Sequence, residues 1–216
     1  MADETASVAQ ATGRADDLTA EPADVTPAEK GAPRRELRMV FAGFGGQGIL
    51  FAGKLIAYAG LEDDRQLSWM PSYGPEMRGG TASCSVTLSD EPIGSPLVLE
   101  PDVLVALNQP SLEKYAPRVE PGGIVIANTT LCPDLSCAEA RATDGVTTIG
   151  IPATELAEAN GMKGLANIIC VGRLWAATRL CPWDKLQLGL EHCVPPRKAH
   201  LLEPNRRALR MGATQR

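Results

Sequence analysis

Six consecutive residues, Gly43-Phe44-Gly45-Gly46-Gln47-Gly48, are the first place in the chain where residue type and spacing suggest chemistry. Glycines let a backbone turn sharply and let a ligand approach without meeting a Cβ. A helix starting just after such a turn aims free N–H groups at the same spot, where anions are favoured. Phosphate or coenzyme binding is the chemistry this spacing supports. The flanking elements must hold the turn in place. Met39-Val40-Phe41-Ala42 is a short apolar run of strand character. Ile49 to Ala59 is apolar with helical length, and Gly60 stands where a C-cap would end it. Leu37 to Gly60 is thus the first half of a βαβ unit, with the Gly43-x-Gly45-x-x-Gly48 spacing in the right context on both sides. The bland alternative is that these glycines serve only tight helix–sheet packing or a subunit contact.

A standard NAD site needs a carboxylate at the end of the second strand, for the ribose hydroxyls. The second strand is predicted over Arg65–Trp69 and leads into Met70-Pro71. Asp63 and Asp64 precede it, at the wrong end, which argues against NAD. A later buried strand, Asp102 to Leu107, runs into Asn108-Gln109-Pro110. Ligands in open α/β sheets bind beyond the strand C-termini, so Asn108 is a candidate to face the site. It can equally cap a helix from Ser111 to Tyr115, with Pro110 in the first turn. Pro71 to Gly80 is rich in proline and glycine and is predicted as a loop. It carries Tyr73, Glu76, Met77 and Arg78 and is long for a plain connector. A lid or docking surface is one reading, and an ordinary surface excursion the other.

No catalytic set accompanies these candidates. His192 and His200 lie far along the chain from the glycine turn. GxSxG, HExxH, a Walker lysine pattern and a metal-spaced His/Cys cluster are all missing. None of the six cysteines forms CxxC, and the closely spaced run that holds a bacterial iron–sulfur cluster is absent. Cys132 and Cys137 are the nearest pair and are expected to be ordinary loop thiols, while Cys84 and Cys170 look like core thiols. No catalytic residue and no metal ligand are predicted.

A chain of 216 residues with 44% hydrophobic content suits one sizeable core with tails. Neither a signal peptide nor a run of 18 apolar residues is present, so a cytoplasmic, non-membrane protein is expected. The formal charge of −5 is uneven: residues 1–36 hold eight acidic and four basic residues, giving −4, and the remainder gives −1. Residues 1–33 hold almost no large apolar side chain and are predicted as a disordered acidic extension over 1–35. Basic residues gather after Lys185 without a stacking-aromatic motif, so nucleic acid is not expected.

Further strands are predicted at Thr81–Leu88, Ile124–Ala127 and Val146–Ile149. Helices are predicted at Ile151–Ala159, Leu165–Leu180, Trp183–Cys193 and Glu203–Met211, with Asn167 near the start of the second and Arg179 on its surface. The alternation implies an α/β fold, Rossmann-like, with a mostly parallel sheet, helices on both faces and C-terminal helices. Thr81–Leu88 is the one candidate for an antiparallel strand.

Three stretches together resemble the gamma subunit of 2-oxoacid:ferredoxin oxidoreductases, most closely the 2-oxoglutarate type. They are the glycine hexapeptide, Ser72-Tyr73-Gly74-Pro75-Glu76-Met77-Arg78-Gly79-Gly80, and Glu91-Pro92-Ile93-Gly94-Ser95-Pro96. Asn108 to Leu112, the Pro121-Gly122-Gly123 turn and Asn205 to Gly212 fit as well. The resemblance implies a gamma domain over 36–212 in a multi-subunit enzyme. Such enzymes decarboxylate a 2-oxo acid oxidatively, form acyl-coenzyme A and reduce ferredoxin. It implies alpha and beta partner subunits, with a ferredoxin-like delta subunit as a further candidate. Thiamine diphosphate, Mg2+ and iron–sulfur clusters would sit in those partners, and this chain alone would hold no cofactor. On this reading Gly43, Phe44, Gly45, Gly46, Gln47, Gly48 and Asn108 face coenzyme A, and Tyr73, Glu76, Met77 and Arg78 dock on the thiamine-carrying subunits, unless Arg78 instead holds a carboxylate. The competing expectation is a stand-alone Rossmann-type nucleotide-binding protein.

Overall fold

The strand that leads into the glycine turn, β1 (Leu37–Phe44), lies inside a six-stranded sheet. A computed structural model describes residues 17–23, 36–73 and 81–215. The other strands are β2 (Gln66–Tyr73), β3 (Thr81–Ser89), β4 (Val103–Ala106), β5 (Ile124–Asn128) and β6 (Thr147–Ile151), in the order β2-β3-β1-β4-β5-β6. β1 is parallel to β4, β4 to β5 and β5 to β6, whereas β3 is antiparallel to both β1 and β2. β3 alone runs against the rest, so the sheet is mixed, as the Thr81–Leu88 expectation allowed.

β1 is apolar on both faces because both faces are covered. Met39 and Phe41 point into the larger core, with α1 (Ile49–Glu62), α5 (Ala166–Thr178), α6 (Trp183–Cys193) and α7 (Leu202–Thr214). Val40 and Ala42 point into the smaller core, with α2 (Gln109–Tyr115) and α3 (Ser136–Glu139). The short α4 (Ala153–Ala159) belongs to the larger side through Ala153 and Ala157. The tightest seam joins α5 to α7. A Cβ at Gly172 would overlap the Leu209 carbonyl oxygen, and one at Gly212 would overlap that of Ile169.

Several boundaries differ from the sequence expectation. Gly60 does not end α1. It lies inside the helix, where the Leu88 side chain packs against it. The helix ends later, with Asp64 left-handed (φ 54°), Arg65 N–H donating to Gly60 O (3.0 Å) and Asp64 N–H to Leu61 O (3.1 Å). β2 runs on through Pro71 to Tyr73, because an edge strand tolerates a residue without an N–H. β6 is shifted to Thr147–Ile151. β3 lies between β1 and β2, so the second strand does not flank the turn, and the absence of a carboxylate at its end carries no weight against NAD.

Within the extension expected to be disordered, residues 17–23 are described, and they lie against the C-terminal helices; the rest of 1–35 lies outside the described residues. Arg179 is not a plain surface residue. Its side chain is 10% exposed, stacked over Trp175 and paired with Glu21 at 2.9 Å.

Candidate functional site

α1 leaves the end of β1 toward the larger core, and α2 leaves the end of the adjacent β4 toward the smaller one. Neighbouring strands whose connections depart to opposite faces open a crevice at their carboxyl ends, and this is where α/β sheets bind ligands. The glycine turn crosses that crevice. Gln47 latches it shut from within. Its Oε1 accepts from Phe44 N–H (2.6 Å) and Asn108 Nδ2 (3.3 Å), and its Nε2 donates to Leu107 O (3.1 Å).

Asn108 takes the capping role and also reaches the glycine turn. At φ −155° it is the N-cap of α2, with Oδ1 accepting from Ser111 N–H (2.9 Å), while its Nδ2 reaches Gln47. Gly46 (φ +97°) and Gly48 (φ +75°) turn the backbone through a region that L side chains rarely enter. Nothing lies within 4 Å of a Cβ built on Gly46, so the turn presents open backbone there. Gly48 is the N-cap of α1 and offers no side chain to its first N–H groups. Phe44 (37% exposed) and Leu131 (40%) stand at the carboxyl ends of β1 and β5.

Gly43 through Gly48 and Asn108 are therefore brought together, with Gly43 buried and Phe44 and Gly46 exposed. The backbone of Tyr73 ends β2; its side chain and Glu76, Met77 and Arg78 lie outside the described residues. Phe44 pairs with Thr81, and Tyr73 with Ala82, along one end of the sheet. Lys54 is remote from the turn, 5.4 Å from the Tyr58 ring, and His192 pairs with Glu62 at 2.8 Å. Sequence reasoning noted Asn167 without giving it a role. It is buried and donates from Nδ2 to Gly48 O (3.0 Å), fixing the turn from behind. A cavity of about 340 Å³ opens beside it, lined by Gly48, Phe51, Asn167, Cys193, Lys198 and Asn205 among others.

The thiols are not poised for chemistry. Burial pushes Cys84 and Cys132 up to about 12 and Cys193 to about 11, so they stay protonated at neutral pH. Cys132 lies in the loop after β5, as expected, and is fully buried, whereas Cys137, also expected in a loop, is on α3. Among the described residues no three His, Cys, Asp or Glu side chains converge to hold a metal, and no helix is long and apolar enough to cross a membrane.

A mixed sheet with a glycine turn at its switch point defines a Rossmann-like α/β domain. The chain belongs to the pyruvate ferredoxin/flavodoxin oxidoreductase family, which it matches over residues 38–215. It is 46% identical over 142 residues to subunit VorA of ketoisovalerate oxidoreductase from Methanothermobacter marburgensis, covering 66% of this chain and 28% of that one. The chain thus spans little more than a quarter of that relative. It is 36% identical over 164 residues to subunit KorC of 2-oxoglutarate synthase from Methanocaldococcus jannaschii, covering 75% of this chain and 84% of the relative. The gamma subunit of keto/oxoacid ferredoxin oxidoreductase from Geobacter sulfurreducens has a similar structure, with TM-score 0.68 and 28% identity over 82% of this chain and 95% of that one.

Proposed function

We propose that this chain is the gamma-type subunit of a cytoplasmic, multi-subunit 2-oxoacid:ferredoxin oxidoreductase, with 2-oxoglutarate as the first substrate to test. The domain over 36–212 would bind alpha and beta subunits, with a ferredoxin-like delta subunit as a further partner, and 1–35 would be an extension outside it, of which residues 17–23 lie against its C-terminal helices. Thiamine diphosphate, Mg2+ and iron–sulfur clusters belong to those partners. Oxidative decarboxylation and electron transfer to ferredoxin would take place there. This chain would contribute assembly and one wall of the coenzyme A channel.

The observation that supports this role is the turn itself: open backbone at Gly46, an α1 N-terminus without a side-chain cap, and a seat at the switch-point crevice. Unpaired N–H groups at a helix start suit a phosphate or a pantetheine carbonyl. Gln47, Asn108 and Asn167 would hold that backbone in place. Tyr73, Glu76, Met77 and Arg78 would dock on the thiamine-carrying subunits, since the strands framing them end beside the turn.

Two experiments separate assembly from ligand contact. Affinity purification from native extract should bring down subunits that reduce a viologen dye with 2-oxoglutarate and coenzyme A; an inactive, solitary chain would reject the subunit reading. In the reconstituted complex, Gly46→Ala should raise the KM for coenzyme A about tenfold, since φ +97° is forbidden to alanine and the turn must move. Gly122→Ala, also at a positive-φ glycine but at the opposite end of β5 (φ +78°), should leave that KM unaltered. Equal KM values in both variants would make the turn purely structural.

A further inference from the structure

Residues 17–23 precede the family match, which begins at residue 38, yet all three C-terminal helices grip them. From α7, Arg210 Nη1 donates to Asp17 O (3.2 Å) and Ala20 O (2.9 Å). From α6, Gln187 Nε2 donates to Leu18 O (3.4 Å). At the end of α5, Arg179 Nη1 donates to Glu21 Oε1 (2.9 Å), and Pro22 is buried. The segment is also folded on itself. Asp17 Oδ1 accepts from Thr19 N–H (3.0 Å) and Thr19 Oγ1 (2.6 Å), and Ala20 N–H donates to Asp17 O (3.1 Å).

Arg179 is informative. It occupies the C-cap of α5 in the left-handed conformation (φ 49°, ψ 40°), a position that glycine fills without steric cost. The residue there instead carries a guanidinium, held 4.0 Å from the Trp175 ring and directed at Glu21. A strained backbone kept for the sake of one side chain points to use of that side chain.

We propose that residues 17–23 are a cis-acting strap that clamps α6 and α7 onto α5 and so closes one wall of the cavity beside Gly48. Two anchors, Gln187 and Arg210, lie on the same helices that give Cys193 and Asn205 to that wall. Gly172 and Gly212 already hold α7 against α5, so seating the strap ties α6 to that pair and restrains the α6 side of the cavity. This holds whichever ligand the glycine turn takes.

Cys193 reports the state of the wall. It is half-buried, and burial slows its reaction by keeping the thiol protonated. N-ethylmaleimide labelling of the native full chain at pH 8, read by peptide mass spectrometry, should show slow labelling of Cys193. In the full-length double variant Glu21→Lys, Arg210→Ala, labelling of Cys193 should be at least fivefold faster, while Cys137, on α3 beyond the sheet, keeps its rate. Hydrogen exchange of the α7 amides should rise in parallel. A synthetic peptide spanning 15–25, added to a variant lacking residues 1–23, should slow the labelling again. Unchanged Cys193 rates and α7 exchange in the double variant would overturn the proposal, as would a rise at Cys137 equal to that at Cys193. Arg179→Gly adds a test of sign. It relieves backbone strain, so without a strap it should leave Cys193 protected; the proposal requires faster labelling.

Discussion

Gly212→Ala should destabilise the protein by about 3 kcal/mol, lowering the melting temperature by roughly 6–12 °C. The sign is the informative part. On an exposed helix the same change is stabilising by about 1 kcal/mol, because alanine has the higher helix propensity. Here the new methyl would overlap the Ile169 carbonyl oxygen and lie 2.7 Å from its carbon. Backbone cannot rotate away as a flexible side chain can, so α7 must move off α5. That movement thins the packing of Ile169, Leu209 and Ala213, all buried in the larger core. Gly172→Ala makes the reciprocal clash with Leu209. Both changes open one seam, so the double variant should cost clearly less than the sum of the singles. Urea unfolding of the four proteins measures this; a stable Gly212→Ala chain would mean that the helices are not in backbone contact.

Gln47→Ala should cost about 1–2 kcal/mol in stability and, on the coenzyme reading, raise the KM for coenzyme A about tenfold. Its amide satisfies Phe44 N–H, Asn108 Nδ2 and Leu107 O at once. Truncation leaves those groups facing a gap between β1 and β4. Gln47→Glu keeps the acceptor but sets a second oxygen against Leu107 O, so it should recover little of the loss. Asn108→Ala should cost about 1 kcal/mol through its cap alone. Its coupling to Gln47, measured by a double-mutant cycle, should be non-zero because the two amides touch. A glutamate variant as stable as the native protein would show that the donated bond to Leu107 carries no weight.

The parts legible in the sequence were those written in local pattern. Met39–Ala42 followed by the glycine hexapeptide located the turn between β1 and α1, and Asn108 before Pro110 located a cap, because each signal spans only a few residues. What escaped was set by distant partners. That β3 intervenes between β1 and β2 is decided by its pairing with β1, well back along the chain, which no local pattern states. Pro71 reads as a loop residue until it is known to lie on an edge strand. Gly60 reads as a stop until Leu88 is found packed against it. Asp17 to Ala23 has the composition of an unfolded segment, and its order comes from arginines on helices at the other end of the chain.

That last arrangement fixes when the strap can form. Its contacts join residues 158, 169, 190 and 193 positions apart, among the most non-local in the molecule. Closing such loops before α5, α6 and α7 exist would cost chain entropy with nothing to offset it. The strap is therefore expected to seat after the folding barrier has been crossed. Its removal should leave the refolding rate nearly unchanged and appear almost wholly as faster unfolding, making the N-terminal segment a determinant of lifetime rather than of folding speed.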